Sequence, residues 1–278
     1  MKTLRYRTLL LTLASLAIAV AATGCGKGAA PSAPSPSHQT APMSQQAADD
    51  IASQFALTLS KQGGLPLTGL GSTSLTAMSR GEVSPTRLGR SNVLRNLDEG
   101  SLSWSLTLTF FDAAGNQQLI YDPNTTARVV VHAKAHGTLS TAERRALIGV
   151  ERLLDVQGLL PGETTIEIDG SARDTADCSF VSTDGIHSRR YHLLGAGALT
   201  DVRQLKDETV NPYPLSGTAR WEVTADAMVT DESGTQSAHY QATMLVTFNG
   251  TQYPTIEVSG DFHYRMDLET GAIQRIPA

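Results

Sequence analysis

His132 and His136 stand four residues apart in "ARVVVHAKAH", the spacing at which a helix would chelate a metal. The run is β-branched and alternating, however, and on a strand four residues span about 13 Å, too far for one ion bound at about 2 Å from each ligand. The other histidines (38, 187, 192, 239 and 263) are dispersed, and there is no HExxH and no paired CxxC. Arg128, His132, Lys134 and His136 share one face of that expected strand. They form a basic stripe that could attract phosphates but reads first as a solvated face. Asp169, Asp174, Asp177 and Asp184 crowd a stretch that reads as loop-prone, and Asp231-Glu232 reads as a turn. None of these acids has the spacing of an EF-hand, so they are expected to serve turns rather than calcium. GxSxG, SxxK and a phosphate-binding glycine loop are missing too; "GLGSTS" and "GAGAL" lack the strand-loop-helix context and the lysine. The expected site inventory is therefore no catalytic residue, no cofactor and no metal, in a protein that is not an enzyme.

The cysteines carry the remaining chemistry. Cys25 follows a basic start (Lys2, Arg5, Arg7) and the uncharged run "LLLTLASLAIAVAA". Fourteen residues of helix reach about 21 Å, short of the roughly 30 Å apolar core of a bilayer. Basic start, short apolar middle and small residues at the end make an export signal. "AATGC" resembles the lipobox of bacterial lipoproteins, although Ala22 stands where that family usually has Leu. The resemblance implies cleavage before Cys25, with palmitate-type acyl chains on that residue as the membrane contact. Several chains are what stable anchoring requires. Cleavage after an Ala-x-Ala is the alternative and would leave a soluble protein. Gly26, rather than an acid, after the cysteine suits sorting to an outer membrane.

Removing residues 1–24 takes away three cations and no acid, moving the net charge from −5 to −8. That balance argues against nucleic acid as a partner. Acylation of Cys25 would leave Cys178 without a disulfide partner, and it is expected to be a buried small apolar residue. Residues 25–43, with four prolines among small polar residues, bury too little apolar surface to fold and form a tether. Extended at about 3.1 Å per residue, the tether reaches about 50 Å.

The folded part is expected at 44–278. Ala48, Ile51, Ala52, Phe55, Ala56 and Leu59 recur at helical spacing, so 44–61 reads as one amphipathic helix capped by Ser44 and ended by Gly63-Gly64. Residues 63–90 carry no periodic signal. Beyond 100 the period is two: Leu102, Trp104, Leu106, Leu108 and Phe110; Trp221 through Val229; Tyr240 through Phe248. Each run alternates dry and wet positions as a strand with one buried face does. "DAAGN", "DESG" and Asn249-Gly250 read as turns, the last as a type I′ hairpin. In "TIEVSGDFHYRM" a three-residue loop pairs Val258 with Phe262 and Ile256 with Tyr264, which keeps the dry face dry. Residues 141–146 read as a short helical turn begun by a Ser140…Glu143 capping box, with a hairpin through "LLPGE" to follow. The expected fold is mainly β, an antiparallel sheet of hairpins (meander, sandwich or open roll) with one N-terminal helix.

"TFFDAAGNQQLIYDPNTTA", "VQGLLPGETTIEIDGSA", "NPYPLSGT", "VTFNGTQY" and "MDLETG" are similar, in this order, to segments of uncharacterised secreted bacterial proteins rich in β-structure, many of them lipoproteins. The likeness spans roughly residues 48–271, rests on turns and strand ends, and departs at Ser259-Gly260-Asp261. It implies a fold and an envelope location but no activity. The expected role is accordingly a membrane-anchored, non-catalytic binding or structural domain with an unidentified protein or small-molecule partner. A carrier of an apolar ligand or lipid and, less favoured, an envelope hydrolase are the alternatives.

Overall fold

The structure is a computed structural model, and it describes residues 40–60, 91–97, 100–140, 144–181 and 187–277. The export signal, Cys25, almost all of the tether, residues 63–90 and the expected Gly63-Gly64 stop lie outside these residues. The chain runs α1 (Gln45–Leu59), β1 (Ser91–Leu97), β2 (Gly100–Asp112), β3 (Gln117–Gln118), β4 (Thr126–Ser140), β5 (Arg144–Gln157) and β6 (Thr165–Val181). It continues β7 (Ser188–Leu205), β8 (Ser216–Asp231), β9 (Gly234–Thr247), β10 (Thr255–Val258), β11 (Phe262–Met266) and β12 (Ile273–Arg275). The twelve strands among the described residues join one antiparallel sheet in sequence order, with β3 a short addition beside β2. The expected sandwich is not formed, and the sequence-order pairing is the expected meander. β1 and β12 are its two edges and do not pair with each other.

Strict alternation positions everything else. On β8, Ala219, Trp221, Val223, Ala225 and Ala227 point inward, and on β9 Tyr240, Ala242, Met244 and Val246 do the same. Val258 pairs with Phe262 and Ile256 with Tyr264, the register the dry face requires. β9 and β10 are antiparallel neighbours, but Asn249-Gly250 is not a two-residue hairpin. It sits in a loop from 248 to 254, where the Asn249 carboxamide oxygen accepts from the Thr251 amide at 3.1 Å and only Gly250 has positive φ. The Asn side chain thus closes its own turn, an alternative to the type I′ geometry.

Two further expectations are corrected. Of the expected turn at 141–146, residues 141–143 lie outside the described residues, while 144–146 belong to β5 and pair with Phe180, Ser179 and Cys178, so no helical turn occupies them. Alternation of Ala146, Ile148, Val150, Leu154 and Val156 over a buried face outweighs the local capping pattern. The hairpin through Pro161-Gly162 is present as expected. Asp169, Asp174 and Asp177 also lie on a strand, β6, and not in a loop; Asp184 lies outside the described residues.

Ser44 caps α1, its hydroxyl accepting from the Ala47 amide at 3.1 Å. The expected stripe is buried as read, yet the helix is enclosed on more than one side. Asp50, Gln54 and Thr58 are also buried. Contacts arrive from β5 (Arg144 to Ser53), β7 (Arg189 and Tyr191 to Asp50), β8 (Trp221 against Phe55), β11 (Tyr264 to Asp49) and β12 (Arg275 to Asp49). Adjacent strands lie about 4.8 Å apart, so a flat sheet would set β5 and β12 roughly 34 Å apart. A helix is only about 10–12 Å wide. The sheet therefore curls, and α1 lies inside the curl.

"GAGAL" shows how the interior accommodates the helix. It lies in β7, and a Cβ on Gly195 would fall 2.6 Å from the Phe55 ring. Gly195 is small because an aromatic ring of α1 occupies the space a side chain would need.

Candidate functional site

The seat of α1 is where the interior departs from plain apolar packing. Along β5 the inward positions read Ile148, Val150, Arg152, Leu154 and Val156; along β6 they read Ala172, Asp174, Ala176 and Cys178. Two opposite charges thus occupy dry positions on neighbouring strands. Arg152 Nη1 lies 2.8 Å from Asp174 Oδ1, and the two side chains are 4 % and 5 % exposed. The carboxylate meets Arg152 and the Trp221 indole, neither in good alignment, so the contact is an ion pair more than a hydrogen bond. Arg152 instead donates to the Glu151 carbonyl at 3.0 Å and lies over the Trp221 ring at 5.8 Å. Burial raises the Asp174 carboxyl above the usual carboxylate range, with Arg152 opposing.

From α1, Gln54 comes down on this pair. Both polar atoms of Gln54 and Arg152 Nη2 are buried without a direct hydrogen-bond partner, and Trp221 Nε1 has only the Asp174 carboxylate near it. A cavity of about 10 Å³, room for about one water, lies among Gln54, Phe55, Thr58, Asp174 and Leu193.

One turn toward the N-terminus of α1 is a second polar contact. Asp50 accepts from Arg189 Nε at 2.7 Å and Nη2 at 3.3 Å, and from the Tyr191 hydroxyl at 2.9 Å. Arg144 donates to Ser53 Oγ at 2.9 Å, and both arginines lie over the Phe180 ring, at 6.0 Å for Arg144 and 5.6 Å for Arg189. Burial lowers the Arg144 guanidinium and, with Asp50 beside it, raises the Tyr191 phenol. A third contact lies at the rim. There Asp49 accepts from the Tyr264 hydroxyl at 2.9 Å, from Gln45 at 3.0 Å and from the Arg275 guanidinium. The interior thus carries three arginines (144, 152 and 189), two of them answered by polar groups of α1.

The outer face uses its charges on itself. Arg128, His132, Lys134 and His136 do share that face of β4, as read. Arg128 pairs with Asp155 at 2.6 Å, while His132 and Lys134 both reach Glu151 at 2.8 Å. Those contacts, Lys134 first, pull the Glu151 carboxyl down to about 2. The stripe is therefore largely neutralised by β5. Asp177 binds His192, and Asp226 binds His239, each through Nδ1 at 2.7 Å. Glu167, Asp169 and Asp201 bring carboxylate oxygens within 4.8 Å of one another. Here Asp169 accepts from the Asp201 amide at 2.9 Å and Glu167 from Arg203 at 3.3 Å, which fastens the paired bulges of β6 and β7. Cys178 is buried, and its thiol is pushed up to about 12 by burial first and by Asp50. No helix among the described residues is long and apolar enough to cross a membrane.

Sequence reading missed Asp50, Gln54, Arg152, Arg189 and Tyr191, and took Asp174 for a turn acid. The signal was available in part: Arg152 and Asp174 break alternation at inward positions. The acids of α1 carried none, because an amphipathic helix is expected to show its charges to water. Comparison of the chain with protein families, with characterised proteins and with solved structures finds no match.

Proposed function

We propose that this chain is a lipid-anchored, non-catalytic binding domain of the bacterial envelope, held to the membrane by acyl chains on Cys25 and holding an apolar ligand inside the curled sheet. The anchor rests on the export signal and the lipobox resemblance. From Thr40 the chain lies against β9, where the Ala41 amide donates to the His239 carbonyl at 2.8 Å, and Ser44 then caps the helix that fills the curl. The observation that carries the binding role is the seat itself: an apolar interior with inward arginines, occupied by a segment of the same chain. Of the binding and structural roles, this favours binding. A purely structural core gains little from buried guanidinium groups, since well-packed apolar residues replace such ion pairs without loss.

The chemistry-bearing side chains also favour a role without catalysis. Arg152 and Asp174 are spent on each other, and His132, His192 and His239 on surface carboxylates.

Mass spectrometry of the mature N-terminus tests the anchor. Di- or triacylated Cys25 is expected, with Cys25→Ser released into the soluble fraction; an unmodified cysteine removes this part of the proposal. Native mass spectrometry of the detergent-extracted protein tests the ligand. A bound lipid or fatty acid is expected, and a protein that neither carries nor takes up any apolar compound returns the domain to a structural role.

A further inference from the structure

Asp50 is a carboxylate carried into a mainly apolar interior on a segment that also buries Ile51, Phe55, Leu57, Leu59 and four alanines, with Gln54 and Thr58 its other buried polar groups. What meets it there is a built carboxylate cradle: two guanidinium donors of Arg189, the Tyr191 hydroxyl, and Arg144 close enough to act on it electrostatically. Forked donation from one arginine with a third donor alongside is the geometry that recognises carboxylates. A helix buried only for packing requires none of it.

The rest of the seat is satisfied less well. Both polar atoms of Gln54 and Arg152 Nη2 make no direct hydrogen bond under α1, beside a cavity with room for about one water, and Trp221 Nε1 has only the Asp174 carboxylate to answer it. The polar groups under Gln54 are thus matched less closely by α1 than the cradle is by Asp50. The two sheet edges, β1 and β12, are not paired with each other, so the curl can widen without breaking a backbone ladder.

We propose that the interior of the sheet binds a long-chain carboxylate and that α1 is its built-in competitor, with Asp50 in the position of the ligand's head and Ile51 and Phe55 in that of its tail. The proposal rests on the reading of the domain as a carrier of apolar compounds, and adds the headgroup and the means of exclusion. Loading then requires exchange: the ligand's carboxylate takes the Arg189–Tyr191 cradle as Asp50 leaves it.

The test uses the full mature chain with dodecanoate and dodecanol, which share a twelve-carbon chain and differ in charge. Isothermal titration is expected to give at least about tenfold tighter binding of the acid, the margin a charge-assisted hydrogen-bond pair supplies. Asp50→Asn, by removing the competing anion, is expected to tighten dodecanoate binding, and Arg189→Gln to bring it down to the level of the alcohol. In the wild-type protein, amide hydrogen exchange over residues 47–58 is expected to quicken when dodecanoate binds. This readout holds even if a variant fails to fold. Equal binding of acid and alcohol would overturn the headgroup assignment and leave the carrier reading standing. Binding of both with slowed or unchanged exchange in α1 would overturn the competition. Uptake from phosphatidylglycerol vesicles with no binding of dodecanoate would move the cradle to a phosphate headgroup and overturn the carboxylate. No binding of any of these by folded wild-type and Asp50→Asn protein would overturn both readings.

Discussion

Replacing Arg152 with methionine removes the cation from the buried pair and keeps its length and apolar stem. Two charges with centres about 4 Å apart attract by about 4 kcal/mol at an effective dielectric of about 20, while each buried ion forfeits several kcal/mol of hydration. With both side chains at most 5 % exposed and no aligned hydrogen bond to the carboxylate, the pair contributes little net stability. Losing one partner is a different matter. Without Arg152, burial raises the Asp174 carboxyl still further above the 3.8 at which the unfolded chain ionises. Breaking a buried pair by removing one partner costs about 3–5 kcal/mol, and Arg152→Met is expected to cost about that much at pH 7. The sign follows from the raised carboxyl. Its contribution to stability is fully present below the unfolded value and is lost as pH rises through the folded one. The penalty is therefore expected to shrink as pH falls from 7 toward 4. The double variant Arg152→Met/Asp174→Leu should equal or exceed wild type at every pH, because the remaining ion is gone. Urea titrations from pH 4 to pH 7, followed by far-UV circular dichroism, measure all three proteins. A penalty that does not change with pH, or a double variant no better than the single, would refute the reasoning.

Three other expectations follow from particular contacts. Ser44→Ala removes the cap of α1 and should lower stability by about 1 kcal/mol, read by chemical denaturation, with faster exchange confined to the first turn of the helix. Glu151 lies far below its ordinary value, so its contribution is present above about pH 4.5 and is lost as pH falls toward 2. Glu151→Gln should accordingly show a shallower decline of thermal midpoint over that window, and an unchanged slope would count against the Lys134 and His132 contacts. Gly195→Ala places a methyl against Phe55 and should destabilise by about 1–3 kcal/mol; in a Phe55→Leu background the same change should cost measurably less.

The sheet was legible because its signal is long and redundant. Trp221 through Ala227 and Tyr240 through Val246 repeat one alternation, and a register error anywhere would turn a whole dry face to water. The loop at Ser259–Asp261 was fixed by the same constraint. Local signals failed where a longer one competed. The Ser140…Glu143 pattern and the Asn249-Gly250 pair are turn chemistry in short windows. The first gave way to the alternation of β5, and the second to an Asx turn inside a longer loop. "GAGAL" was rightly set aside as a phosphate loop, but its role was not legible, because glycine marks close approach without saying what approaches. Here it is the Phe55 ring, more than a hundred residues away in sequence. The seat was illegible for the same reason. Arg152 and Asp174 could be flagged as misplaced charges, but nothing local says that Asp50 and Gln54 turn inward. That depends on a sheet curled far enough to enclose the helix.

The enclosure makes the helix and its seat a single cooperative unit. An isolated fifteen-residue helix is marginal in water, and α1 carries no acid in its first turn and no base in its last to strengthen it. Its order therefore comes from the sheet: from Ile51 and Phe55 packed inside, and from Asp49 and Asp50 held by cations of β12 and β7. Whatever displaces the helix must replace both kinds of contact at once, an apolar volume and an anion. A neutral apolar compound supplies only the first and would leave Arg189 and Tyr191 without their anion; Arg189 is 23 % exposed and keeps access to water, so the loss falls mainly on the buried Tyr191, where a lost hydrogen bond to a charged group costs about 1.5–3 kcal/mol. A compound that supplies both leaves α1 with no seat and hence no reason to remain helical. Order in residues 45–59 is then a direct report of what occupies the sheet.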